Sequence, residues 1–341
     1  MVNQRKNGGM ATIKVAVIGA GSWGTTVAHL AAHNAPTTLW ARRKELADQI
    51  DTEHRNGDYL PDFSLHPDLR ATAQLDDAVC AADVVVMGVP SHGFRAALTD
   101  VAACIRPWVP VVSLAKGLEQ DSKLRMSQVV NEVLPGHPVA VLTGPNLAKE
   151  ILAGHAAAAV VAMADEVISS ALQDIFATDV FRVYVNSDVI GSEVGGVLKN
   201  VIAIASGMAD GLGTGDNTRA AVITRGLAEI TRLGVAMGGQ EMTFAGLAGM
   251  GDLIATCISP QSRNRFVGEQ LGKGRTIDEI IADMNQVAEG VKSCRAVLEV
   301  ATEHGVDMPI VTQVVGVVHE GRTAADAYRG LLKRQVAHER H

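Results

Sequence analysis

A glycine-rich turn near the front of the chain constrains the fold more than any other feature. Residues 12–18, TIKVAVI, are a short β-branched run, and Gly19-Ala20-Gly21-Ser22-Trp23-Gly24 follows at once. The next residues, TTVAHLAAHNA, have helical spacing, and TTLW at 37–40 reads as a second strand. Gly19-x-Gly21-x-x-Gly24 between a strand and a helix permits a tight turn. It also lets a pyrophosphate approach amides at a helix N-terminus. Ser22 and Trp23 would face that ligand. The same glycines could build a plain turn in another α/β protein, so the motif gains weight only from the rest of the chain.

That remainder alternates in the same way. Apolar runs at 83–90, 109–115, 138–143, 157–163 and 181–185 read as buried strands of a parallel sheet. Helical patterns at 91–103, 121–134, 145–153 and 165–177 lie among them. Strands alternating with helices imply a doubly wound α/β sheet. From about residue 189 no convincing strand remains. Val194, Val197, Leu198, Val201, Ile204, Ala205 and Met208 are spaced along one helix at 190–209, and Asp216-Asn217 reads as the cap of another at 218–234. Further helical patterns lie at 262–271, 276–284, 290–304 and 310–319. The chain therefore reads as a dinucleotide-binding domain at 12–189 and an all-helical domain at 190–341. The opening MVNQRKNGGM lacks the apolar stretch of a signal peptide, and 1–11 reads as a disordered leader.

Composition excludes several classes. A length of 341 residues suits two domains, and 47% hydrophobic residues suffice for a sizeable core. A net charge of −7 argues against a nucleic-acid coat or a polybasic membrane binder, and 4% aromatics are too few for a base-stacking platform. No apolar run approaches ~18 uninterrupted residues, so no membrane span is expected. Cys80, Cys104, Cys257 and Cys294 form no C-x-x-C pair and read as reduced, mostly buried thiols of a cytosolic protein. His29 and His33 have metal-like i,i+4 spacing but no third ligand in the sequence, and no metal is expected.

Four further places could carry chemistry. After the second strand, where a carboxylate usually meets the ribose of NAD, stands Trp40-Ala41-Arg42-Arg43-Lys44. Arg42 and Arg43 there would attract a 2′-phosphate; the run also reads as a solvated patch starting a surface helix. Lys116 follows a core strand, at the sheet edge where doubly wound folds bind ligands. Lys199 sits inside an apolar helix, where its ammonium either serves a site or reaches solvent along the stripe. Gly249-Met250-Gly251-Asp252 precedes Ser259-Pro260, a helix-start signal that would put Ser262, Arg263 and Asn264 in a first turn suited to an anion or to plain capping.

In order, GAGSWGT, SLAKGLE, TGPNLAKEI, EVGGVLKNVIAIASGMADGLG, GLAGMGDLIATC and SPQSRNRFVG resemble the bacterial NAD(P)-dependent glycerol-3-phosphate dehydrogenases, from about residue 12 to 333. The resemblance implies a Rossmann-type sheet followed by a helical domain and a cytoplasmic homodimer. It also implies reversible reduction of dihydroxyacetone phosphate to sn-glycerol 3-phosphate for glycerophospholipid synthesis, with NADPH or NADH. By that resemblance Lys199 is the proton acceptor and donor, with Lys116, Asn200, Asp252 and Thr256 around it. Gly144, Pro145 and Asn146 form a substrate loop, and Ser262, Arg263 and Asn264 grip the phosphate. Gly19, Gly21, Ser22, Trp23, Gly24, Arg42, Arg43, Lys116, Ala148, Arg263, Val287 and Glu289 meet the cofactor. Asn146 stands where many members have Ser. The rivals are another two-domain hydroxy-acid or sugar-acid dehydrogenase, which should lack the Arg-Asn grip, and a dinucleotide-binding regulator, which should not need Lys116, Lys199 and Asp252 together.

Overall fold

The computed structural model describes residues 12–284 and 288–333; the leader expected at 1–11 lies outside them. The glycine turn joins β1 (Val15–Ile18) to α1 (Ser22–Ala32), and β2 (Thr37–Trp40) and α2 (Lys44–Glu53) follow. A small hairpin, β3 (Arg55–Asn56) and β4 (Leu60–Ser64), leads to β5 (Arg70–Thr72) and α3 (Leu75–Val79). The chain then alternates through β6 (Val84–Met87), α4 (Ser91–Ala102), β7 (Val111–Ser113), α5 (Met126–Val133), β8 (Val139–Thr143), α6 (Ala148–Leu152), β9 (Ala157–Ala162), α7 (Glu166–Phe176) and β10 (Phe181–Asn186).

The sheet order is β10-β9-β8-β7-β6-β1-β2-β5. Strands β1, β2, β5, β6, β7 and β8 are mutually parallel, with Val15 opposite Thr37 on one side and Val84 on the other. The fully parallel sheet suggested by the apolar runs is corrected at one edge: β8 and β9 pair antiparallel, and β10 follows β9. The short α6 in their connection turns the chain back instead of carrying it across the sheet. Strand order reverses between β1 and β6, so their carboxyl ends open the crevice where such sheets bind ligands. The hairpin and β5 had no sequence signal because they are two to five residues long and largely polar.

A helical layer follows: α8 (Val189–Gly211), α9 (Asp216–Ala236), α10 (Glu241–Ala245), a π turn (Leu247–Gly251), α11 (Asp252–Ile258), α12 (Arg263–Gly272), α13 (Ile277–Ala282), α14 (Glu289–Glu303), α15 (Pro309–His319) and α16 (Ala324–Leu332). No strand occurs among its described residues. Helix α8 is long and apolar enough to cross a membrane, but 89% of its apolar window is buried among the surrounding helices. It forms the axis of the largest core cluster, with Val201, Ile202, Ala203 and Ile204 fully enclosed. Helix α9 begins with Asp216 already inside its first turn, behind Gly215, rather than with an Asp216-Asn217 cap.

Polar contacts tie the two layers together. Glu193 of α8 is buried and accepts from the Ser127 amide at 2.8 Å and from Arg125 Nη1 at 2.5 Å, at the start of α5. Lys123 reaches across to Glu303 of α14 at 2.6 Å. Breaking a buried pair from one side leaves an uncompensated charge. Glu193→Ala should therefore lower the free energy of unfolding by about 3–5 kcal/mol, read from urea unfolding curves at neutral pH. A loss below ~1 kcal/mol would mean that Arg125 finds water as good a partner as Glu193.

Candidate active site

At the β1–β6 crevice each motif glycine meets a separate demand. Gly19 has φ +113°, and a Cβ on it would lie 2.9 Å from the Gly88 carbonyl oxygen. A Cβ on Gly24 would come within 2.1 Å of the Gly19 oxygen, so only glycine lets α1 pack this tightly on β1. Gly21 has open space, since a Cβ on it would meet no atom within 4 Å, and it precedes α1 without a side-chain cap. A tight turn, a close packing and an open, uncapped helix start suit a dinucleotide pyrophosphate. Ser22 opens α1 and Trp23 follows, its indole Nε1 buried without a partner. Asn56 of the β3–β4 hairpin supports the turn: its amide donates to Ala20 O at 2.9 Å and Thr25 Oγ1 at 2.8 Å.

The two arginines after β2 separate. Arg43 forms an ion pair with Asp58 in the hairpin turn. Arg42 is exposed and has no hydrogen-bond or ion-pair partner among the described residues. Of the pair, only Arg43 is engaged by a carboxylate.

The two lysines meet on one carboxylate. Asp252, the first residue of α11 beyond the π turn, has a side chain only 2% exposed. Lys116 donates to its Oδ2 at 2.7 Å and to the Gly144 carbonyl at 2.8 Å. Lys199 donates to Asp252 Oδ1 and, at 2.8 Å, to Thr256 Oγ1. The Thr256 hydroxyl in turn donates to Asp252 O at 2.6 Å, which fixes its lone pairs toward Lys199. Lys199 is buried, so the solvent-facing alternative is excluded. Burial pushes its ammonium down to about 8, Lys116 pushes the same way, and Asp252 opposes both. An ammonium poised there can give or take a proton near neutral pH.

Beside it, Asn200 donates to Lys116 O at 3.2 Å and accepts from Asn264 at 2.9 Å, while Asn264 Oδ1 accepts from the Gly290 amide at 2.9 Å. Asn264 therefore braces α8, α12 and α14, and much of its amide is committed before any ligand arrives. Helix α12 starts at Arg263, not at Ser259-Pro260. Ser259 closes α11 through its amide to Ala255 O, and Ser262 is the cap, its Oγ accepting from the Arg265 amide at 3.2 Å. Arg263 and Asn264 still occupy the first turn, where the helix dipole favours an anion.

Two family descriptions cover the chain: NAD-dependent glycerol-3-phosphate dehydrogenase N-terminus over residues 14–169 and the corresponding C-terminus over 188–329. The chain belongs to this family. An NAD(P)+ glycerol-3-phosphate dehydrogenase of Sphingopyxis alaskensis is 60% identical over 96% of this chain and 99% of its own length. The crystal structure of the glycerol-3-phosphate dehydrogenase of Coxiella burnetii superposes with a TM-score of 0.90 at 36% identity, covering 95% of this chain and 99% of that one. A probable 2-dehydropantoate 2-reductase of Bacillus subtilis shares the fold alone, with a TM-score of 0.55 at 16% identity over 91% of this chain and all of that one.

The remaining positions that the resemblance implies fall on several elements. Gly144 has φ +130° and directly follows β8, and Asn146 has both amide atoms buried without a partner. Ala148 opens α6. Glu289 begins α14, where burial raises its carboxyl while the charges of Arg263, Lys199, Lys116 and Lys292 act against that rise. Val287 lies outside the described residues. Sequence reasoning missed Asn56, Arg125 and Glu193, which hold the site without touching its centre. Of these, only Glu193, a carboxylate in an apolar helix, carried a signal. It also missed the π turn, where the GMGD run widens the helix just before Asp252. His66 joins His29 and His33 in space, its backbone amide donating to His29 Nδ1 at 3.0 Å. The three imidazoles pack ring on ring and do not converge as a ligand set.

Proposed function

We propose that this chain reduces dihydroxyacetone phosphate reversibly to sn-glycerol 3-phosphate, and that Lys199 handles the proton. The observation that carries the reading is the Lys116–Asp252–Lys199 bridge at the mouth of the nucleotide crevice, in a chain of the glycerol-3-phosphate dehydrogenase family. A nicotinamide dinucleotide bound on the glycine turn supplies or accepts the hydride. In reduction the ketone oxygen gains negative charge, and Lys199 stabilises it and donates its proton. In oxidation neutral Lys199 takes the hydroxyl proton. Lys116 fixes the substrate oxygens from the sheet edge, and Asn146 supplies the amide next to it. Arg263 and the first turn of α12 take the phosphate, and Thr256 and Asp252 aim the Lys199 ammonium.

The cofactor is NADP(H) or NAD(H), with NADPH used at least as well as NADH. Support comes from the lack of an acidic residue just after β2 and from the unengaged Arg42. Residues 12–189 hold the nucleotide in this reading, and 190–341 complete the substrate site and the homodimer. Met250, Ile254 and Ile258, exposed at four-residue intervals through the π turn and α11, support such pairing by offering an apolar face. The setting is cytoplasmic, and the product feeds glycerophospholipid synthesis.

NADPH oxidation should be fast with dihydroxyacetone phosphate and slow with unphosphorylated ketones. Lys199→Ala should lower turnover by about 10²–10⁴-fold with an unchanged circular dichroism spectrum, and Lys199→Arg should fail as well. Near-normal turnover in folded Lys199→Ala would overturn the assignment. Arg42→Ala should raise the KM for NADPH about 10-fold and leave that for NADH nearly unchanged, whereas Arg43→Ala should do less. Equal losses for both cofactors would make Arg42 an adenosine contact instead.

A further inference from the structure

The four cysteines do not share one environment. Cys257 and Cys294 are buried in the helical core, as expected, but Cys104 is only half-buried and Cys80 is exposed. These last two meet. Cys80 caps the end of α3, its amide donating to Asp76 O at 3.0 Å, so Asp76 and Cys80 stand one turn apart on the same face. Cys104 follows the end of α4, which packs on α3. One carboxylate oxygen of Asp76 and the sulfurs of Cys80 and Cys104 all lie within 4.8 Å of one another. Among the described residues no other group of three or more His, Cys, Asp or Glu brings its ligand atoms together in this way.

The cluster is remote from the reaction. It precedes β6 and follows α4, at the edge where the strands begin, whereas Gly19, Gly88 and Lys116 stand where they end. Its chemistry is selective. Tetrahedral zinc holds sulfur at about 2.3 Å and carboxylate oxygen at about 2.0–2.2 Å, so its ligands stand roughly 3.4–3.8 Å apart. A closing of at most roughly 1–1.4 Å reaches that spacing, and the exposed Asp76 and Cys80 side chains have room to rotate toward it. Two sulfurs and one oxygen suit a thiophilic ion and not magnesium or calcium, which need an oxygen shell.

We propose that Asp76, Cys80 and Cys104 bind one zinc-type divalent cation that staples α3 to α4, with water as fourth ligand. On binding, each thiol releases its proton to solvent and both sulfurs and the ionised carboxylate donate to the metal, so two protons leave per ion and binding strengthens as pH rises.

The probe is cobalt(II), added to the fully reduced full-length protein without oxygen. One ion should bind per chain, with thiolate-to-cobalt charge-transfer absorption, and zinc should displace it. Cys80→Ser should weaken binding by at least about tenfold, a loss that even outer-shell partners can produce, and should reduce the charge-transfer band. Asp76→Asn should weaken binding similarly but keep the band. Cobalt uptake without that absorption would point to the imidazoles of His29 and His33 and overturn the proposal. So would unchanged binding by Cys80→Ser, or a protein that takes up no cobalt and instead joins Cys80 to Cys104 as a disulfide in air. The unaltered chain gives a second reading that needs no variant. Zinc should slow iodoacetamide alkylation of both Cys80 and Cys104, identified by peptide mass, and equal alkylation with and without zinc would also overturn the proposal.

Discussion

One buried carboxylate sets the electrostatics of the crevice. Asp252 is almost fully enclosed and meets two ammonium groups that arrive from different layers, Lys116 from the end of β7 and Lys199 from the middle of α8. Two cations brought this close repel each other strongly in a partly dry site. Asp252 makes their approach tolerable without satisfying both, and Lys199, the more buried of the two, is left with its affinity for a proton reduced. In the proposed reaction, reactivity follows from an imbalance of two positive charges against one negative charge, maintained by burial.

Much of the surrounding structure keeps that imbalance in register. Helix α8 can approach the π turn because residue 195 is glycine; a Cβ there would lie 2.6 Å from the Ala248 oxygen. Asn200, one residue past Lys199, bonds to the Lys116 carbonyl, so the two lysines are linked through backbone and amide as well as through Asp252. Asn264 and Gly290 extend the link to α12 and α14. Two turns upstream, Glu193 and Arg125 anchor α8 to the sheet layer. A crevice between two layers needs such ties, because loss of register by even 1 Å would separate the proposed proton donor from its substrate.

What the sequence revealed and what it concealed divide along a physical line. Continuous apolar strands and the long α8 were legible because burial imposes periodicity on them. The glycine turn was legible because steric demands leave glycine alone at Gly19 and Gly24. The edge strand Arg70–Thr72 and the β3–β4 hairpin were not, since short, largely exposed elements impose no pattern. The convergence of Lys116, Lys199 and Asp252 came from family resemblance: their sequence separations of 53 and 136 residues carry no local signal. Ser259-Pro260 misled because a serine that ends one helix looks like a serine that starts the next; only the hydroxyl of Ser262 reaching the Arg265 amide tells them apart. The split between Arg42 and Arg43 depends on Asp58, which folding alone brings near.

The balance of charges around Lys199 is open to one direct measurement: the pH dependence of kcat/KM for dihydroxyacetone phosphate reduction, compared between the unaltered chain and Asp252→Asn. In the proposed reaction the protonated ammonium is the donor, so reduction should be fast below the break and fall as pH rises through about 8. Removing the Asp252 charge withdraws the influence that holds the Lys199 ammonium up, while burial and Lys116 continue to push it down. The break should therefore move to lower pH in Asp252→Asn, and activity near neutrality should drop more than activity in acid. A break that stayed in place, or moved to higher pH, would contradict the role given to Asp252.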